Sequence, residues 1–269
     1  MPTIRGRSKA DFSSLQAIER VRSLTLINTN ICGEAVRPLS TAVRLRELEV
    51  SSSVIGDELL TACHGLPELV SLFIREAPLI TGSGLHALNG GGLHELYLEQ
   101  TGLQDRFLGD LTNMEHLWSL SVQGTPLGDE GLAHLSRLPK LSLLLASNTN
   151  ITGKGFSHWP ELHTLEDLYL ECCPVEDQDV ACIARACPRL RRLALSGTRI
   201  TDAAAESLQR LTRLESLRIN RTRVTDATFE MLRDCRSLQS VAFQSTAISQ
   251  DAVDRLQRAN RKVSLYRSE

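Results

Sequence analysis

The feature that most constrains this chain is a leucine pattern that returns every 24 residues. Written L-x-x-L-x-L-x-x-T-x-I/L/V, it reads Leu190, Leu193, Leu195, Thr198, Ile200 in one segment and Leu214, Leu217, Ile219, Thr222, Val224 in the next. Segments begin at Val21, Leu45, Leu69, Leu93, Leu117, Leu141, Leu165, Leu190, Leu214 and Leu238. The step is 24 residues throughout, save 25 between Leu165 and Leu190. An incomplete eleventh segment places Leu265 in the second leucine position. Ten segments in one register exclude coincidence, and a period of this length marks a stack of small units rather than one closed core.

Each repeat changes period partway along. Its first part alternates, as in Leu193 and Leu195, which is strand spacing. Its second part has helical spacing, as in Leu132 with Leu135 and Phe229 with Leu232. Thr201-Asp202 and Thr225-Asp226 precede two of the helical parts. A threonine there can cap the first turn, and an aspartate suits the positive end of the helix dipole. One repeat cannot bury its own apolar face, so repeats must share a continuous core. The expected fold is an α/β solenoid, a horseshoe with a parallel inner sheet and short outer helices. Ten strands at about 4.8 Å give an inner wall of roughly 45 Å. Aromatic residues make up only 4% of the chain, so that core is aliphatic.

Residues 11–269 read as a single repeat domain, capped at its start by a helix over Asp11–Arg20 that spaces Phe12, Leu15 and Ile18 on one face. Residues 1–10, with Arg5, Arg7 and Lys9, read as a flexible basic tail. The ninth position is Thr29, Ser53, Ala77, Thr101, Thr125, Thr149, Cys173, Thr198, Thr222 and Thr246. A small hydroxyl after the strand can bond main-chain groups of its own repeat and the next, so this column reads as a structural ladder.

Charge is unevenly spread. Residues 1–184 carry 13 lysines and arginines against 23 acidic residues, and residues 185–269 carry 17 against 9. The two ends can therefore select differently charged partners. Seven cysteines in no paired framework, and no secretory leader, fit an intracellular, cytoplasmic setting. No apolar stretch is long enough to span a bilayer, so no membrane association is expected. Phosphate-binding, zinc-protease and serine-hydrolase motifs are all missing, as is any insertion between repeats that would build a cleft. The chain reads as a non-enzyme, with no cofactor or metal.

The candidate site lies on the inner wall. Leucines hold the fourth and sixth positions, so the third, fifth and seventh face away from the core. The fifth column contains Phe73, Tyr97, Leu145 and Tyr169, bulky residues on a face that burial does not require. Flanking columns supply Glu95, Glu99, Asp167 and Glu171 near the middle, and Arg192, Arg218 and Arg221 lie toward the C-terminal end. Aromatic anchors inside a polar surround are the usual content of a protein-binding hot spot. The partner expected there is a protein carrying a basic segment.

At these residues the chain resembles leucine-rich-repeat proteins of the kind with Ile-Thr-Asp after the strand, with Thr where most such families have Asn or Cys at the ninth place. Cys173 and the stretch Cys187-Pro188-Arg189-Leu190 are similar to the cysteine-containing repeats of F-box proteins, whose repeats hold substrates for a ubiquitin ligase. The segment before Asp11 is too short for an F-box. The resemblance implies a scaffold or adaptor subunit of a larger assembly, by analogy a cytoskeletal or flagellar one. The alternatives are a substrate-recognition subunit of a ubiquitin ligase and, from the arginines at 189, 191, 192, 199, 210, 213, 218, 221 and 223, a nucleic-acid-associated subunit of a ribonucleoprotein complex.

Overall fold

The computed structural model describes residues 3–5 (backbone only), 18–28, 32–52 and 54–267. Phe12 and Leu15 of the expected cap, and Thr29 and Ser53 of the ninth column, lie outside the described residues. Ile18–Arg20 form one 3-10 turn with Ile18 buried. The chain divides into two compact bodies, residues 1–141 and 142–269.

The N-terminal body holds β1 (Thr3–Arg5), β2 (Ser23–Ile27), β3 (Glu47–Ser51), β4 (Ser71–Arg75), β5 (Glu95–Glu99) and β6 (Ser119–Ser121), each parallel to the next. β1 falls within the segment read as a tail, where a lone Ile between Thr and Arg continues the ladder against β2. The C-terminal body holds β7 (Leu143–Leu145), β8 (Asp167–Tyr169), β9 (Arg192–Ala194), β10 (Ser216–Arg218), β11 (Ser240–Ala242) and β12 (Ser264–Tyr266), also parallel and in chain order. Residues of equal repeat position face each other across every pair from β2 to β6 and from β7 to β12. The 25-residue step survives as the pairing of Asp167 with Arg192.

The return segments of the C-terminal body are mostly α-helical: α3 (Asp177–Ala186), α4 (Ala205–Gln209), α5 (Asp226–Leu232) and α6 (Gln250–Ala259). Among the described residues of the N-terminal body only α1 (Glu58–Ala62) and α2 (Asp129–Leu135) are, while Gly33–Thr41, Leu85–Leu88 and Asp105–Asn113 wind as 3-10 helix. Their composition explains the difference. Pro38 lies inside one of them, three glycines follow Leu88, and Gly109 lies inside the third, all residues that penalise an α-helix.

Three sets of hydrogen bonds stitch the repeats. At the eighth position every residue but Ser52 adopts a left-handed backbone; Gly124 and Gly197 do so freely and Asn28 and Asn148 readily, while Glu76, Gln100, Cys172, Arg221 and Ser245 do so against preference. This conformation turns the chain out of the strand and aims the N–H at the next repeat. Asn28 N–H donates to the Ser51 carbonyl (2.8 Å), Gln100 to Gln123 (2.8 Å), Cys172 to Ser196 (2.8 Å) and Arg221 to Gln244 (2.8 Å). At the ninth position the threonine hydroxyl donates back to the sixth-position carbonyl of its own repeat: Thr101 to Leu98, Thr125 to Val122, Thr149 to Ala146, Thr198 to Leu195, Thr222 to Ile219 and Thr246 to Phe243, at 2.6–3.1 Å. The threonine bonds are thus local, and between repeats the Cys173 thiol meets the Thr149 hydroxyl and the Ala146 carbonyl.

The third set starts from aspartates at the thirteenth position. Thr201 and Thr225 cap their own helical turns as the sequence implies. The aspartate beside each reaches the cap of the following repeat instead. Asp177 accepts from Thr201 N–H and hydroxyl (both 2.7 Å), Asp202 from those of Thr225 (2.8 and 2.6 Å) and Thr228 (3.1 and 2.5 Å), and Asp226 from those of Ser249 (2.6 and 2.7 Å). In the N-terminal body Asp57 accepts from Thr81, Gly82 and Ser83 and Asp105 from Gly128. Burial pushes the Asp202 carboxyl up, but the hydrogen bonds from Thr225 and Thr228 outweigh it and hold it below the ordinary 3.8. Asp57 behaves likewise, and Ser249 holds Asp226 down.

Two outcomes are expected. Asp202→Ala leaves four donors without their partner and lowers the stability of the C-terminal body by about 2 kcal/mol, while Thr222→Val costs about 1 kcal/mol; urea-unfolding midpoints measure both. Because Asp57, Asp202 and Asp226 titrate lower folded than unfolded, their contribution is complete above about pH 4 and disappears as pH falls through the lowered values. Urea midpoints at pH 7 and pH 3 should therefore fall less in Asp202→Asn than in the unsubstituted chain.

Candidate functional site

The outward sheet face of the N-terminal body gathers four of the expected residues. Phe73 on β4 and Tyr97 on β5 are directly paired, and their rings meet edge to face with centroids 4.9 Å apart. Both are half-buried. Each covers part of the other, an arrangement that also adds to sheet stability. Ser119 donates to the Tyr97 hydroxyl at 3.1 Å.

Around this pair stand Glu47 and Glu49 on β3 and Glu95 and Glu99 on β5, with Arg75 between them on β4. Arg75 bonds Glu99 at 3.0 Å and approaches Glu49 at 3.4 Å. Serine hydroxyls also serve them: Ser23 donates to Glu47 (3.2 Å), Ser71 to Glu95 (3.0 Å) and Ser121 to Glu99 (2.9 Å). The one guanidinium meets two of the four carboxylates, and the face keeps a negative excess beside an aromatic pair. Glu47, Glu49 and Arg75 are missing from the residues expected from sequence. They occupy the same third, fifth and seventh columns, and reading those columns one strand further back finds them.

At the start of these strands lies a group the sequence reading also passes over. Trp118 is 40% exposed, the His94 and His116 rings lie 5.9 Å apart, and Lys140 Nζ donates to His116 Nδ1 at 3.2 Å.

The C-terminal body treats its expected residues differently. Asp167, read as part of an acidic surround, and Arg192, read as a basic edge, form one two-pronged ion pair with both contacts at 2.6 Å. They hold equal positions on adjacent strands, and Asp167 is buried. Arg218 lies over the Tyr169 ring at 5.9 Å, and Leu145 is half-buried beside Tyr169 on the next strand. Arg221 is at the left-handed eighth position, off the strand. Glu171 follows β8, its N–H donating to the Ser147 hydroxyl. Arg191, Arg199 and Arg210 are likewise tied, to Glu215, Glu176 and Glu206. The positive charge of this body is therefore partly spent on its own carboxylates.

All seven cysteines are unpaired thiols. Burial pushes Cys63 and Cys187 up to about 12, which keeps them neutral. Among the described residues no group of side chains is arranged to hold a metal, and no helix is long and apolar enough to cross a membrane.

The family model described as "Leucine Rich repeat" matches residues 186–208. Among solved structures, an internalin (inlF) from Listeria monocytogenes superposes with a TM-score of 0.70 at 18% identity, covering 96% of this chain and 77% of that one. An internalin C2 from the same species gives 0.59 at 22% identity, covering 77% and 83%. Among curated protein sequences no relative matches. At these identities the likeness is one of fold. With the 24-residue register and the parallel sheet backed by short helices, it shows that the chain has a leucine-rich-repeat fold, an α/β solenoid.

Proposed function

We propose that this chain is a non-catalytic protein-binding module that takes a Lys/Arg-rich segment of its partner on the sheet face of the N-terminal body. The observation that carries this reading is the Phe73–Tyr97 pair set among four glutamates, two of which, Glu49 and Glu99, meet the one arginine there. A basic side chain lying there meets an aromatic surface and carboxylates at once, which favours cations through both Coulomb attraction and the ring quadrupoles. A leucine-rich-repeat framework suits such a role, because its sheet presents side chains on a rigid surface at fixed spacing.

Within this reading the chain serves as a scaffold or adaptor, and its seven free thiols fit a reducing compartment. The C-terminal body is the weaker candidate, since Asp167 and Arg192 satisfy each other. The same holds for nucleic acid as a partner, since Arg191, Arg192, Arg199 and Arg210 are already paired.

The test is selection from a displayed peptide library followed by calorimetry. Lys/Arg-rich peptides are expected to emerge, with affinity that falls as salt is raised. Phe73→Ala with Tyr97→Ala is expected to weaken the selected peptide by about tenfold or more. Glu95→Gln with Glu99→Gln should flatten the salt dependence while leaving the melting temperature nearly unchanged. Peptides with no basic preference, or undiminished binding by the aromatic double variant, would overturn the assignment.

A further inference from the structure

The acidic sheet face of the N-terminal body has a border of opposite charge. The second column of the repeats runs Arg22, Arg46, Val70, His94 and Trp118 along the start of the strands. Each N–H donates to the carbonyl of the residue before it in the column, at 2.8–3.0 Å. Arg20 and Arg44 share the last position of the repeat, just ahead of Arg22 and Arg46. Equal positions lie about 4.8 Å apart across the ladder, so like charge stacks on like, which is destabilising unless a carboxylate intervenes.

No carboxylate does. All four arginines are exposed, and among the described residues none of their guanidiniums has an ion pair or hydrogen bond. Glu68 follows Arg44 in its column without pairing with it, and Glu47, next to Arg46 in the chain, takes the Ser23 hydroxyl instead. Elsewhere the ladder answers such charges, as at Arg75, Arg191 and Arg192. The border is also partly apolar, with Val43 45% and Trp118 40% exposed. Tryptophan and arginine are enriched where protein interfaces concentrate their energy.

We propose that two copies of this chain associate through their N-terminal bodies, the four arginines of each set against the glutamates of the other's sheet face, with Trp118 covered at the junction. Acidic columns and basic border lie side by side in one copy. A two-fold rotation therefore brings border against face twice, the self-complementarity that a closed pair requires. The proposal rests on the acidic face as a seat for basic groups and names the source of those groups.

Sedimentation of the full chain tests this. At roughly 50 μM chain and about 50 mM salt the dimer is expected to predominate, and about 0.5 M salt should dissociate it by screening the exposed charges. Arg22→Glu with Arg46→Glu, and separately Glu47→Lys with Glu95→Lys, should each sediment as monomers that melt close to the unsubstituted chain at high salt. Mixed in equal amounts, the two variants should pair again, because unlike charges then meet at both contacts. Trp118→Ser is expected to weaken association about tenfold. A chain that stays monomeric at low salt overturns the proposal, and whether it still binds a Lys/Arg-rich peptide decides separately if the acidic face stands as a docking site. Variants that dimerise alone as well as the unsubstituted chain, or folded variants that stay apart when mixed, overturn it too. Where a charge-reversed variant does not fold, Arg22→Gln with Arg46→Gln takes its place, and undiminished dimerisation has the same force.

Discussion

A 24-residue repeat has too few apolar residues to enclose a core alone, so each repeat here is stable only against its neighbours. That dependence makes the inter-repeat hydrogen bonds decisive. The eighth-position N–H meets the next repeat's seventh-position carbonyl, and the thirteenth-position carboxylate meets the next repeat's helix start. One set fixes the end of the strand and the other fixes the start of the return segment. Between them the leucines of positions one, four and six have no choice but to stack in columns. Residues of equal position then become neighbours wherever the ladder runs, and a surface is assembled by columns rather than by sequence proximity.

This logic accounts for how charge is distributed on the two sheet faces. In the N-terminal body, glutamates recur in the third, fifth and seventh columns of β3 and β5, and β4 interposes only Arg75. Like charges on alternate strands hold a field that a partner can satisfy. In the C-terminal body an aspartate and an arginine fall in the same column on adjacent strands, and the chain satisfies itself. The same parallel ladder therefore yields an open electrostatic demand in one body and a closed one in the other, with no change of fold.

Much of the fold is legible in the sequence because leucine spacing and burial are the same fact. The register, the 25-residue step and the Thr201 and Thr225 caps all follow from residue type and position. The left-handed eighth position is harder to see. Glycine and asparagine announce it at Asn28, Gly124, Asn148 and Gly197, but Glu76, Gln100 and Arg221 adopt it because the neighbouring repeat demands the N–H, not because their side chains favour it. The aspartates of the Thr-Asp pairs read naturally as dipole partners, and their larger role depends on which cap lies above them in space. Of the expected site, Phe73, Tyr97, Glu95 and Glu99 come together as one group. Asp167 and Arg192 do not stay separate, since their pairing appears only once the extra residue between Leu165 and Leu190 is carried into the register.

If a basic segment is held by the aromatic and acidic face of the N-terminal body, the strands of that face must feel it. Hydrogen–deuterium exchange of the full chain, with and without a Lys/Arg-rich peptide at saturating concentration, tests it most directly. Slowed exchange is expected to concentrate in β3, β4 and β5, with β9 to β11 unchanged. Protection confined to the return segments or to the C-terminal strands, with β3 to β5 exchanging as before, would contradict it.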